Sequence, residues 1–392
     1  MTEPTPQGPL DGVVIADFSR ILAGPICTMI LADLGADVIK VERPGTGDDT
    51  RTWGPPFLNG DAAYFLSINR NKRSIDLDLG QPDDLETARD IIMRSDVLVE
   101  NFRSGVMGDF GLAYDDVRAD NPDLIYCSMP AFAHSKHRHL PGYDLLMQAI
   151  SGFMSITGEP GREPVKMGVA ILDVVAGLYG AVAILAALRD RDAHGTGRKL
   201  EVGLFEASVA SLVNQAANYL IGEIVPSAAG NSHPNIVPYQ AFSARDGQFV
   251  LAAANDKLFK AATEAMGRSD LGNDQRFATN SSRVDHRDEL LPAMAATFVK
   301  EPVSHWVEAF ESAGVPAAPA RSIEEVFNSP EGSNMVSELD DPHRGRIRLV
   351  RSPIRYHDAI EPAPSPPPRL GEHADEIRSW IRKTPPARRS NG

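Results

Sequence analysis

The sequence predicts an α/β protein built on an open parallel sheet, with a second, smaller α+β domain. Three observations carry this prediction. Short apolar runs of strand length recur through the first 130 residues. Helix-patterned stretches separate them, as crossovers between parallel strands must. Strand-like pieces and amphipathic helices then return as a block after Tyr239.

The elements follow in order. Residues 13–17 (VVIAD) form a buried strand. Gly24-Pro25 opens a helical segment, ICTMILADL, which Gly35 ends. Residues 37–42 (DVIKVE) and 74–79 (SIDLDL) alternate like strands, and a helix pattern runs from Pro82 to Arg94. Residues 96–102 (DVLVENF) and 124–129 (LIYCSM) add two more strands. Helices dominate from Tyr143 to about Gly222. The tail from Ile347 has strand-like pieces and a last amphipathic helix at 373–382. Between them, EPAPSPPPR (361–369) reads as an extended connector.

Composition removes several function classes. The chain has 392 residues, 39 basic against 53 acidic, for a net charge of −14. That balance argues against a nucleic-acid partner, which selects a basic face. Apolar residues at 42 % supply a sizeable core without staples. Cys27 and Cys127 make neither a disulfide framework nor a zinc spacing, so a reduced, cytoplasmic setting is expected. The N-terminus lacks the basic start and apolar run of a signal peptide. Residues 174–188, fifteen in all, fall short of a membrane span and read as a buried core helix.

No GxGxxG follows the first strand, and no P-loop, GxSxG or HExxH occurs. Asp173 sits between apolar runs in VAILDVVAGLYG, where desolvating a carboxylate is costly. It reads either as the N-cap of a helix starting at Val174 or as a carboxylate nucleophile. The two are compatible, because a helix N-terminus keeps an anion ionised at neutral pH. His134, His137 and His139, with Lys136 and Arg138 between them, suit a solvated or phosphate-facing loop better than a metal site. Arg43 and Arg103 directly follow strands, and Lys72 and Arg73 lie in a basic run. Together they predict a basic rim for a phosphorylated ligand.

The chain resembles the class III CoA-transferases. The resemblance rests on LAGPICTMILADLGADVIKVERPGTGD (22–48), NRNKRSIDLDL (69–79), DVLVENFRSGVM (96–107), NPDLIYCSM (121–129), PGYDLLMQAISGFMSITG (141–158) and GVAILDVVAGLYG (168–180). GVPAAP (314–319) and RLGEH (369–373) extend it, so it covers nearly the whole chain in order. Within the family, ANYLIG (217–222), GNSHPNIVPYQAF (230–242) and RVDHRDEL (283–290) look most like succinyl-CoA:glutarate and related dicarboxylate CoA-transferases.

The resemblance implies the following. Asp173 is the nucleophile, working through an aspartyl anhydride and an aspartyl-CoA thioester. CoA or acyl-CoA is a substrate held by Leu22, Ala23, Arg43, Leu77, Asp78, Leu79, Asn101, Phe102, Arg103, Tyr143 and Asp144, and no cofactor or metal is permanently bound. His233 meets the carboxylate acceptor. Gly80 and Asp109 stand where the family often has a basic residue, which shifts phosphate contacts toward Arg103, Lys136 or Arg138. The fold is a Rossmann-like large domain from both chain ends: residues 1–200, a linker helix at 201–225, a small domain at 226–325 and a return segment at 326–392. Two copies interlock as a homodimer. Alpha-methylacyl-CoA racemases share this fold but carry a His where this chain has Tyr143, a poor base at neutral pH. A non-catalytic acyl-CoA-binding protein would not need Asp173 in its full motif.

Overall fold

Six parallel strands form one sheet: β1 (Val14–Asp17), β2 (Asp37–Glu42), β3 (Lys72–Asp76), β4 (Val97–Glu100), β5 (Ile125–Ser128) and β6 (Lys199–Glu201). Their spatial order is β3-β2-β1-β4-β5-β6. The computed structural model describes residues 8–134, 136–356 and 364–386.

Both faces of the sheet are covered, so its central strands carry apolar side chains on both faces. Ile15, Val38, Val97, Val99 and Ile125 point to one face. There they pack on α1 (Ala23–Asp33) and α4 (Ile171–His194) through Cys27, Leu31, Leu172, Ala176 and Ile184. Ala16, Ile39, Ile75, Leu98 and Tyr126 point to the other. Their partners are α2 (Pro82–Ile92) and α7 (Ala374–Lys383) through Ala88, Ile91, Ile377 and Ile381. The alternation is the period of two that a strand imposes on its side chains.

α1 and α4 touch where Gly177 has no side chain. A Cβ there would lie 2.5 Å from Ile26 Cγ2 and 2.8 Å from the Ala23 carbonyl oxygen. Gly35 ends α1 at φ 102°, a left-handed turn that glycine adopts without strain.

The chain separates into two compact units. The first comprises the chain up to Phe153, Lys166–Glu223 and the part from Met335 onward. Its C-terminal part is tied to the sheet: the Gly371 N–H donates to Ser74 Oγ (3.1 Å) and the His373 N–H to the Ser74 carbonyl (2.9 Å). The first three residues of the proline-rich connector lie outside the described residues. The second unit is Met154–Val165 with Ile224–Asn334. It holds an antiparallel sheet of β7 (Tyr239–Ser243), β8 (Gln248–Ala252) and β9 (Ala317–Pro319), in the order β9-β8-β7. An aromatic core of Phe242, Phe249, Phe298, Trp306 and Phe310 backs that sheet.

The structure departs from the sequence reading in four places. The third strand runs over 72–76 rather than 74–79, because Asp78 accepts the Gly80 N–H at 3.0 Å and turns the chain before Leu79. β6 was not foreseen: three residues, Lys-Leu-Glu, carry no apolar run. Residues 201–225 hold two helices, α5 (Leu204–Ala210) and α6 (Val213–Leu220), and the return part begins at Met335. Finally, α4 has 24 residues and starts at Ile171, so it is long and apolar enough to cross a membrane. Half of its most apolar window is buried inside the protein, against α1 and the sheet.

Candidate active site

In an open α/β sheet, ligands bind at the carboxyl ends of the strands where the strand order reverses. Here that point lies between β1 and β4. Beyond the last strand residues, Asn101 continues the ladder with its side chain. Its Oδ1 accepts the Arg20 N–H (2.8 Å) and its Nδ2 donates to the Arg20 carbonyl (2.7 Å).

The loop after β1 is held from beneath by buried charge. Lys40 Nζ donates to the Ser19 carbonyl and to Asp48, both at 2.9 Å, and the side chains of Lys40 and Asp48 are fully enclosed. Asp48 accepts the Ile21 N–H at 3.2 Å. Ile21 has φ 71°, a strained conformation for a β-branched residue, and this bond helps to hold it there. Burial pushes the Asp48 carboxyl up, but the Lys40 ammonium and the hydrogen bonds from Thr50 outweigh it and bring it to about 2.

Leu22 and Ala23 then open α1 beside Asp173 in one cavity of about 140 Å³. Its wall also carries Arg20, Asn101, Phe102, Arg103 and Tyr143. Asp173 is 8 % exposed and lies in the first turn of α4. It is not the N-cap; Ala170 is, with no side-chain bond. The capping acceptor comes from another helix. Asp144, the first residue of α3 (Asp144–Ile150), takes the N–H of Leu172 at 2.8 Å and that of Asp173 at 3.4 Å. Gln148 Nε2 donates to the other Asp144 oxygen, and Gln148 Oε1 accepts the Met167 N–H at 2.8 Å.

This corrects the expected charge state. The helix N–H groups serve Asp144, so they do not stabilise the Asp173 anion. Burial first, and the Asp144 charge second, push the Asp173 carboxyl up to about 7. Both carboxyl forms are thus populated near neutral pH.

A second cavity, about 410 Å³, adjoins the first. Phe18, Val41, Val106 and Phe110 give it apolar walls, and Arg43 and Leu77–Gly80 line it. Arg20, Phe102 and Arg103 line both cavities and mark the neck between them. A smaller cavity, about 130 Å³, has Arg103, Ser104, Arg138 and Lys199 in its wall.

The sequence-predicted residues therefore divide. Leu22, Ala23, Asn101, Phe102, Arg103, Tyr143 and Asp173 share the first cavity. Arg43, Leu77, Asp78 and Leu79 share the second. Asp144 lines none of the three cavities and works from behind α4. His233 belongs to the second unit, where its ring meets Tyr239 edge-on at 5.4 Å and its Nδ1 accepts the Asn235 N–H at 3.0 Å. Among the described residues, no group of three or more His, Cys, Asp or Glu could hold a metal ion.

The basic rim is not the one expected. Lys72 and Arg73 start β3, so they lie at the opposite edge of the parallel sheet from Arg43 and Arg103. Lys72 is buried on Asp17 at 3.1 Å, and Arg73 is paired with Asp37 and Glu376. The cation the sequence reading missed is Arg20. Its signal was present: it follows β1 at the same distance as Arg103 follows β4. The basic residues lining the two larger cavities are Arg20, Arg43 and Arg103, all arginines.

Comparison with known proteins agrees over nearly the whole chain. The family model described as CoA-transferase family III matches residues 10–374. Succinyl-CoA:glutarate CoA-transferase from Mus musculus is 40 % identical over 372 residues, which is 94 % of this chain and 85 % of that protein. Succinate--glutarate CoA-transferase from Agrobacterium fabrum is 39 % identical over 390 residues, covering 95 % and 96 % of the two chains. The crystal structure of a CAIB/BAIF family protein from Brucella suis superposes with a TM-score of 0.83 at 41 % identity. The match covers 96 % of this chain and all of that one.

Proposed function

The chain belongs to CoA-transferase family III and is an enzyme of that class, and from that premise we propose that it carries CoA from succinyl-CoA to a second dicarboxylic acid through Asp173. The observation that carries this reading is a nearly buried carboxylate at the wall of one cavity, joined by a neck to a larger one edged with arginine. The printed names of the two relatives support the substrate class.

The reaction runs in four balanced steps. The Asp173 carboxylate attacks the thioester carbonyl and expels CoA thiolate, leaving a mixed anhydride. The thiolate attacks the aspartyl carbonyl of that anhydride, forming an aspartyl-CoA thioester and releasing the donor acid as its carboxylate. The acceptor carboxylate attacks the aspartyl thioester, giving a new anhydride and thiolate again. The thiolate takes the acceptor acyl group, and Asp173 returns as a carboxylate. Every electrophile in the cycle stays activated, so water must be excluded. The low exposure of Asp173 supports that requirement.

In this reading, the predicted residues in the larger cavity hold the nucleotide part of CoA. Those in the smaller one hold the arm and the reacting end. His233 is the proposed contact for the distal carboxylate of the acceptor. Partial burial, then the Arg287 charge, hold its pKa below the usual value, so it is a neutral imidazole at pH 7. Because Nδ1 accepts from Asn235, Nε2 carries the proton and is free to donate. An interlocked homodimer brings this residue to the site of the second chain. That proposal is supported by Tyr219, Leu220, Ile221, Ile224 and Val225, apolar side chains all left exposed in the single chain. The two free, buried cysteines suit the cytoplasmic setting.

The test is direct. Purified protein is incubated with succinyl-CoA and a panel of mono- and dicarboxylates, and new thioesters are followed by mass spectrometry. Transfer to dicarboxylates, with hydroxylamine trapping at Asp173, is expected. Solvent exchange of the α-proton with no acceptor needed would instead identify a racemase, and binding without turnover a carrier.

A further inference from the structure

Arg20 stands at the neck between the two cavities, and none of the four chemical steps uses it. Its main chain is fixed on both sides by the Asn101 side chain, so the residue is well anchored. Its guanidinium lies 5.2 Å from the centre of the Phe102 ring, and its Nη1 reaches Asp49 at 3.2 Å. The other oxygen of Asp49 takes Arg43 at 3.3 Å. One carboxylate therefore ties the arginine at the neck to the arginine in the larger cavity. Arg20 Nε is buried and has no acceptor among the described residues.

CoA is a long ligand with a diphosphate midway along it and a further phosphate on its ribose. Its thiol must reach Asp173, and its adenosine needs the roomier, apolar cavity. The diphosphate then falls between them, at the neck that Arg20, Phe102 and Arg103 line. A diphosphate presents paired oxygens that match the planar donor fork of arginine.

We propose that Arg20 is the clamp for the diphosphate of CoA, with Asp49 as the positioning residue that holds Arg20 and Arg43 side by side. The clamp rests on the CoA-transferase reading and gives that site its central contact. It does not touch the reacting carbonyl, so it governs binding rather than the chemical step.

The experiment compares wild-type protein with R20Q and R20K on two donors, succinyl-CoA and succinyl-pantetheine, which lacks the diphosphate together with the 3′-phosphoadenosine. Binding of free CoA and of dephospho-CoA, which keeps the diphosphate and lacks the 3′-phosphate, is measured by calorimetry in parallel; a diphosphate clamp requires R20Q to weaken both alike. R20Q is expected to weaken CoA binding and raise the KM for succinyl-CoA by about 10- to 100-fold. Its kcat should stay within about threefold of wild type, and its kcat/KM on succinyl-pantetheine should be unchanged. R20K keeps the charge and loses the fork, so an intermediate loss on succinyl-CoA alone is expected. If R20Q loses as much on succinyl-pantetheine, Arg20 holds the acyl tail instead and the proposal is overturned. Unaltered CoA binding in R20Q overturns it as well. Wild-type protein that binds no CoA would be a different failure, that of the transferase reading and everything built on it.

Discussion

Asp144 caps the helix that displays Asp173. Its Oδ1 accepts the N–H of Leu172 at 2.8 Å and the N–H of Asp173 itself at 3.4 Å. The two acids are thus linked through the backbone of one and the side chain of the other. The same contact does two things. It fixes the first turn of α4, and it sets a negative charge beside the Asp173 carboxyl.

That charge makes a prediction about pH. In the proposed mechanism only the ionised carboxylate attacks, so the rate should rise with pH through the Asp173 value of about 7. Asp144→Asn keeps an oxygen for the two N–H groups and removes the charge. The acid limb of the kcat/KM profile should then move about one unit toward lower pH. The burial contribution remains, so the limb should not fall to the ordinary aspartate range. A limb that stays in place would show that the Asp144 charge does not reach Asp173.

Stability should carry the same signature with a definite sign. The folded state holds the Asp173 proton up to about pH 7, whereas the unfolded chain releases it near 3.8. The folded state therefore binds more protons between those values, and stability falls as pH rises through that window. Asp173→Asn removes the penalty, on the order of 2–4 kcal/mol above pH 7 and almost none at pH 4. Denaturant titrations at the two pH values test this. An equal gain at both would assign the effect to packing rather than to ionisation.

The contact between α1 and α4 should be equally sensitive. Gly177→Ala places a methyl 2.8 Å from the Ala23 carbonyl oxygen, which is backbone and yields little. A loss of about 1–3 kcal/mol is expected from such overpacking. Leu22 and Ala23 line the cavity with Asp173, so the KM for the acyl-CoA donor should rise as well. Thermal melts together with steady-state kinetics check both outcomes. A change in Tm without a change in KM would mean the strain is absorbed away from the cavity wall.

The enclosed pair under the β1 loop should behave as buried ion pairs do. Lys40→Met leaves Asp48 enclosed without its cation, and a loss of about 3–5 kcal/mol is expected. In the native protein Asp48 is held at about 2, below its ordinary 3.8. Its contribution is complete above the unfolded value and disappears as pH falls through about 2. The variant should lose this part of the acid sensitivity, which denaturant midpoints at pH 3 and pH 6 would register.

The sheet was legible because its strands must satisfy two buried faces. The runs at Val14–Asp17, Asp37–Glu42 and Ile125–Ser128 are short, apolar and bounded by turns, and the structure keeps them nearly residue for residue. Lys199–Glu201 escaped because an edge strand of three residues needs no apolar run. Asp173 was legible as a carboxylate out of place, but its capping partner was not. Asp144 is 29 residues earlier, and only the packing of α3 on α4 brings it there. Charge was the feature least well read. Arg103 and Lys72 each adjoin a strand, yet one follows its strand at the open edge and the other starts its strand and is buried on Asp17. In a sheet predicted to be parallel, residues before a strand and residues after one lie at opposite edges, so chain order alone separates Lys72 from Arg103.

The choice of arginine in the two larger cavities has a chemical consequence. An enzyme that holds thioesters beside a nucleophile endangers any amine within reach, because a neutral lysine captures an acyl group as a permanent amide. Guanidinium stays protonated and is a poor nucleophile, so Arg20, Arg43 and Arg103 supply charge without offering a site for acylation. Lys40 and Lys72, which lie beneath the loop after β1 and at the start of β3, are buried in ion pairs with Asp48 and Asp17. Under the proposed function, the walls of those two cavities therefore present no amine for the substrate to acylate.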